Sequence, residues 1–148
     1  MEKGLLNTFD KELLLKDLCA RLPYNVICQV EFKENGKYNS KVMLLSGIFT
    51  DEAYFTTKGG SIYSNEYKPY LFPLSSMTRE QLFEVQEILG KNEIEIKDGF
   101  LHIVDSDRNT ISYLEILALL EWFYKNHFDV NNLIPMKLAI NATNLNIY

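Results

Sequence analysis

The stretch "KPYLFPLSSMTREQ", residues 68–81, decides how the chain divides. Pro69 marks a strand start or a sheet edge, because proline cannot donate to a ladder. Pro73 ends the extended run. Thr78 then stands three residues ahead of Gln81, the spacing of a capping box, with Met77 and Leu82 placed as a hydrophobic staple. The stretch therefore reads as a joint between an extended segment and a helix. That helix continues through LFEVQEIL to Gly90, a normal terminal glycine. The joint separates a β-rich half, 1–74, from a helix and hairpin half, 75–148, of a single domain.

Upstream, residues 11–21 place Leu13, Leu14, Leu15, Leu18, Cys19 and Leu22 at helical spacing, with Thr8 or Asp10 available as a cap. Pro23 stops this helix. NVICQVEFK alternates, so Val26, Cys28, Val30 and Phe32 share a face. Asn35-Gly36 is a tight-turn dipeptide, and KVMLLSGIFT returns as the next strand. AYFTT follows, Lys58-Gly59-Gly60 turns the chain, and SIYSNEYKPYLF reads as one last extended strand.

Downstream of Gly90, EIEIKDGFLHIV carries Asp98-Gly99 as a two-residue hairpin turn. Ile94, Ile96, Leu101 and Ile103 then form one apolar face, and Glu95 faces His102. Ser112 and Glu115 have capping-box spacing, with Ile111 and Ile116 as a staple. YLEILALLEWFYKNH is apolar almost all round and reads as a buried helix. Phe128, Leu133, Ile134 and Leu138 in the irregular remainder are expected to pack back. The fold class is α+β: a helix, an antiparallel curved sheet of Sm-like or other small-barrel type, then a helix, a β-hairpin and a buried C-terminal helix.

Among 148 residues are nine Phe, nine Tyr and one Trp, enough apolar mass for a real core. The net charge of −5 opposes broad attraction to phosphate backbones. No apolar run approaches the roughly 18 residues of a membrane span, and the first residues lack the pattern of a signal peptide. A cytoplasmic protein without a membrane partner is the expectation.

Catalytic and metal signatures are sparse. Cys19 and Cys28 match no zinc spacing and read as buried free thiols. DSDRNT, residues 105–110, starts like a calcium loop, but Thr110 stands where glycine is needed and Ile116 where the bidentate glutamate belongs. It reads as a polar turn, so no metal and no cofactor is expected. His102 reads as half of an exposed cross-strand pair, and His127 as a cation at a helix end. No nucleophile elbow, phosphate loop or dinucleotide fingerprint is present. A non-enzymatic protein is the expectation, with no catalytic residue.

Aromatics crowd between Tyr54 and Phe72. Packing in the core and along an edge accounts for most of them; a contact surface of Tyr63, Tyr67, Lys68, Tyr70 and Phe72 on an edge strand is the functional alternative.

DLCARLPYNVICQV, KPYLFPLSSMT, WFYKNHFDVNNLI and MKLAINATNLNIY resemble a group of uncharacterised small proteins from phages and prophages of gut Bacteroidales. That group often carries LCARLPYG, KPYLRPMSSMT and a His-Phe-Asp stretch. Here Asn25 replaces the glycine and Phe72 the arginine. The resemblance covers most of the chain and transfers no activity. It implies a phage-encoded protein working inside a bacterial cell. The expected function is binding of a host or phage protein. The alternatives are a single-stranded nucleic-acid module, marked by salt-dependent affinity, and a small-ligand binder directed against host defence.

Overall fold

The computed structural model describes residues 8–49, 52–90, 92–104 and 112–148. DSDRNT and Ile111 lie outside them. The first helix, α1 (Thr8–Arg21), is followed by a 3-10 turn at Leu22–Tyr24, where Pro23 prevents a further α-turn. Asn25 then reverses the chain at φ +58, a left-handed conformation that asparagine tolerates better than most residues.

Three hairpins form where turn dipeptides stand. β1 (Ile27–Glu34) pairs antiparallel with β2 (Lys37–Ile48) across Asn35-Gly36, both at positive φ. β3 (Ala53–Thr57) pairs with β4 (Gly60–Ser64) across Lys58-Gly59. In the second half, β6 (Glu93–Lys97) pairs with β7 (Phe100–Val104) across Asp98-Gly99 in the expected register, including Glu95 opposite His102.

The extended run that reads as one strand is two. It breaks at Asn65 into β4, beside β3, and β5 (Glu66–Leu71), beside β1. Asn141 and Ile140 add a short parallel strand, β8, to the far side of β5. The six-stranded order is β4-β3-β2-β1-β5-β8. The sheet curls so far that Ser64, ending β4, donates its hydroxyl to the Glu31 carbonyl of β1 at 2.7 Å. It does not close into a barrel.

β5 is not an edge strand, but β8 reaches only Tyr70 and Leu71. Leu71 directs its carbonyl to Ala142. By the two-residue period of a strand, Pro69 faces that same side, ahead of the β8 ladder, so the missing proline donor falls where no strand partner stands. The expectation of an edge strand is corrected at Tyr70 and Leu71, and the stretch before them pairs with β1 alone.

Two apolar clusters result. The first holds Leu14 and Leu18 of α1 against Val26, Cys28, Val30, Met43, Leu45 and Phe55 of the sheet. The second gathers Leu74, Val85, Leu89, Leu119, Phe123 and Phe128 around α2 (Arg79–Leu89) and α3 (Tyr113–Lys125). Leu133 and Leu138 pack back on the first cluster and Phe128 on the second, so one segment ties both. Burial reaches only the second half of α3: Leu119 and Phe123 are enclosed, whereas Tyr113 and Leu114 are 73% and 75% exposed. Cys19 is exposed, contrary to its expected burial; Cys28 is enclosed.

The capping box expected at the joint is formed, whereas Leu82 of the expected staple is exposed. Thr78 accepts the Gln81 amide at 3.2 Å, and Gln81 Oε1 accepts the Thr78 amide at 2.9 Å. Ser112 accepts the Glu115 amide at 3.2 Å. Thr78→Ala removes the cap and is expected to cost about 0.5–2 kcal/mol, read as a lower urea midpoint at unchanged slope. An unchanged midpoint would show that the cap is energetically idle.

Candidate functional site

A charged pair is sealed inside the molecule. Asp17 and Arg21 stand one turn apart on α1 and are both essentially inaccessible to solvent. Arg21 Nε and Nη2 donate to the two Asp17 oxygens at 2.6 and 3.0 Å, and Nη2 also donates to the Phe128 carbonyl at 2.7 Å. Asn131 donates its amide to Asp17 at 2.8 Å. The Tyr124 ring lies 4.9 Å from the guanidinium carbon, which gives a cation–π contact to a group whose Nη1 has no hydrogen-bond acceptor. Burial on this scale is tolerated because Nε and Nη2 are paired, although Nη1 is left without an acceptor.

Two residues beside the pair, His127 and Cys28, are held in neutral forms. Burial and the Arg21 charge push His127 down to about 4. The ring is therefore neutral at pH 7, and the expected cation at the end of α3 is corrected. Burial, reinforced by the Asp17 carboxylate, pushes the Cys28 thiol well up, so it is a poor nucleophile. Asp129 is 4% exposed and accepts the Leu133 and Ile134 amides, each at 2.8 Å. Burial raises its carboxyl above the usual range despite those bonds.

The opposite side of Asp129 borders a groove of about 300 Å³. One wall is the turn at 73–75, pinned by the Ser76 hydroxyl on the Pro73 carbonyl at 2.7 Å. A second is the hairpin tip Asp98-Gly99. Its glycine is required twice: φ is +78, and a Cβ there would lie 3.1 Å from Asn132 Oδ1. The third wall is Asp129, Asn132 and Ile134. Two aspartates and an asparagine thus share the lining with Leu74, Ile134 and two prolines, and no lysine, arginine or histidine lines the groove.

The aromatic surface expected from sequence is dispersed. Tyr63 is exposed on β4, where it meets Tyr54 and Phe49 at ring distances of 4.9 and 5.7 Å. Tyr67 is half-buried against Phe55, Lys68 is exposed and Tyr70 is buried. Phe72 is half-buried between Phe128 and Tyr148. Among the described residues no cluster of His, Cys, Asp and Glu forms a metal site, and no helix is long and apolar enough to cross a membrane. No family model, curated protein or solved structure matches this chain.

Two outcomes test this interior. Arg21→Met strands the Asp17 charge and is expected to cost about 3–5 kcal/mol, whereas Arg21→Met combined with Asp17→Leu costs less than the single change. Equal losses in denaturant melts would show that charge pairing is unimportant. Separately, unfolded His127 gains its proton near 6.5 and the folded ring only near 4. Its effect on stability is nil above pH 6.5, and stability falls as the pH drops from 6.5 to 4. Asp129, shifted upward, acts in the opposite sense. His127→Asn tolerates the positive φ and retains Asp129, so its melting temperature should fall less across that window than that of the native protein.

Proposed function

We propose that this chain is a phage-encoded, non-catalytic binding protein that acts inside a bacterial cell and takes a cationic side chain of a partner protein into the groove at Pro73, Asp98 and Asp129. The groove carries the reading: Asp98 and Asp129 line it beside Leu74 and Ile134, and no lysine or arginine is among its lining residues. Its volume of about 300 Å³ suits one long side chain and stands at the small end of ligand sites. The Leu74 and Ile134 walls match the methylene stem of arginine or lysine, which buries its stem while its head finds carboxylates. Desolvation raises the Asp129 carboxyl, and an arriving cation relieves that cost. The overall charge of −5 steers a basic partner toward this surface. The resemblance to phage proteins supports the cellular setting.

The test uses N-acetyl-arginine methylamide as probe, followed by amide shifts in NMR. Gly99, Asn132 and the 73–75 turn are expected to move, with weak affinity on the order of 1 mM, equivalent to about −4 kcal/mol. Asp98→Asn should weaken binding at least threefold (~3-fold or more, for one lost charge-assisted contact) without altering the fold. No shift at these positions, or full affinity after Asp98→Asn, would remove the groove from consideration. Salt-sensitive binding of single-stranded DNA in place of the probe would favour the nucleic-acid alternative.

A further inference from the structure

The ladder between β1 and β5 stops one rung early. Cys28 pairs with Pro69, so continuing the register sets Ile27 opposite Tyr70. Their backbone groups do not meet. The Tyr148 hydroxyl stands between them, accepting from the Ile27 amide at 3.1 Å and donating to the Tyr70 carbonyl at 2.7 Å. Its ring stacks on His127 at 3.7 Å, with planes 9° apart, and Phe72 borders it at 5.9 Å. One side chain fills a slot with a flat aromatic platform, one amide donor and one carbonyl acceptor.

The walls of this slot are fixed without Tyr148. The Phe72 amide donates to the His127 carbonyl at 2.8 Å, and the Asp129 amide to the Phe72 carbonyl at 2.9 Å. Ile27 is registered by Leu44 on β2. The segment that delivers the ring is held less firmly: Ala142 is buried and bonded to Leu71, but Thr143, Asn144, Leu145 and Asn146 are all exposed. Tyr148 itself is 45% exposed. The phenol is thus a tethered occupant of a preformed site.

We propose that this slot is a nucleobase-binding site for which Tyr148 is the built-in competitor. A phenol must serve the amide and the carbonyl through one oxygen. A nucleobase edge carries an acceptor beside a donor on separate atoms, so it meets both backbone groups at once while its face lies on His127. The neutral imidazole adds a stacking platform without charge. The nearby Arg21 is committed to Asp17 and the Phe128 carbonyl and leaves no cation for a phosphate chain, so the ligand is a base or nucleoside and not a strand. The inference is independent of the groove at Asp98, and each stands or falls without the other.

A tethered ring competes at a high effective concentration. Removing it therefore strengthens ligand binding, an outcome that a purely structural tyrosine does not give. Tyr148→Ala and Tyr148→Phe are to be compared with the native chain by calorimetry and by the Ile27 amide resonance, using adenosine, guanosine, uridine and a short oligo-deoxyadenylate. At least one nucleoside is expected to bind Tyr148→Ala roughly tenfold or more tighter than the native protein, shifting Ile27. Tyr148→Phe, which keeps the ring but frees both backbone groups, should fall between them. Para-cresol should raise the melting temperature of Tyr148→Ala and leave that of the native chain unmoved. If Tyr148→Ala does not fold, Tyr148→Phe alone decides: nucleoside affinity no better than native overturns the proposal. Absence of the Ile27 shift in a folded variant also overturns it, as does equal affinity in all three proteins. Tighter binding of the oligonucleotide than of the nucleoside overturns the restriction to a free base.

Discussion

The buried Asp17–Arg21 pair constrains nearly everything around it. A guanidinium with no access to water must find acceptors, and two are on its own helix while the third is the Phe128 carbonyl, 107 residues away in sequence. Fixing that carbonyl fixes its neighbours. His127, at φ +62, turns its ring to Tyr148. Phe128 enters the second apolar cluster, where it stacks on Trp122 with planes 10° apart. Asp129 turns back to hold Leu133 and Ile134. Three consecutive residues thus build a ring platform, a core and a groove wall because one backbone oxygen is committed to a buried cation. An apolar pair in its place could be as stable, but it would not specify this carbonyl.

The same segment covers the end of the aromatic run at 67–72. β5 carries Tyr67 and Tyr70 beside β1, and the later chain adds a second neighbour at Tyr70, Leu71 and Phe72. The Phe72 amide and carbonyl engage His127 and Asp129, while the Leu71 carbonyl engages Ala142. These bonds use the groups that an edge strand leaves for partners. Tyr70 is buried at the covered end of this strand, while Tyr67 and Phe72 are half-buried and Lys68 is exposed.

Local chemistry was legible in the sequence wherever the decisive contact spans a few residues. Asn35-Gly36, Asp98-Gly99 and the Thr78 box each form from their own neighbours, and each is where its dipeptide or spacing put it. The break at Asn65 and the strand at Ile140 were not legible, since both are set by pairing with distant strands. The charged pair left a signal of a different kind. Leu14, Asp17, Leu18 and Arg21 are the enclosed residues of α1, spaced as a core stripe. Two opposite charges on that stripe, four residues apart, mark a buried pair; weighing leucines alone passes over it and misplaces Cys19 on the inner face. The groove was hidden because Pro73 and Asp98 read as local turn chemistry and Asp129 lies in the irregular remainder, and only the tertiary fold brings them together.

The walls of that groove are unequal in how they are held. Asp129 and Asn132 belong to a segment anchored by Arg21 on one side and by the fully buried Leu133 on the other. Asp98 and Gly99 cap a two-stranded hairpin whose inward residues, Ile94, Ile96, Leu101 and Ile103, are only half-buried. A two-stranded sheet has little stability of its own and depends on what lies beneath it. Less apolar area resists displacement of this wall than of the one opposite, so local opening there is less costly. The groove therefore opens more readily at the hairpin tip than at Asp129, whose backbone neighbour Phe128 is held by Arg21.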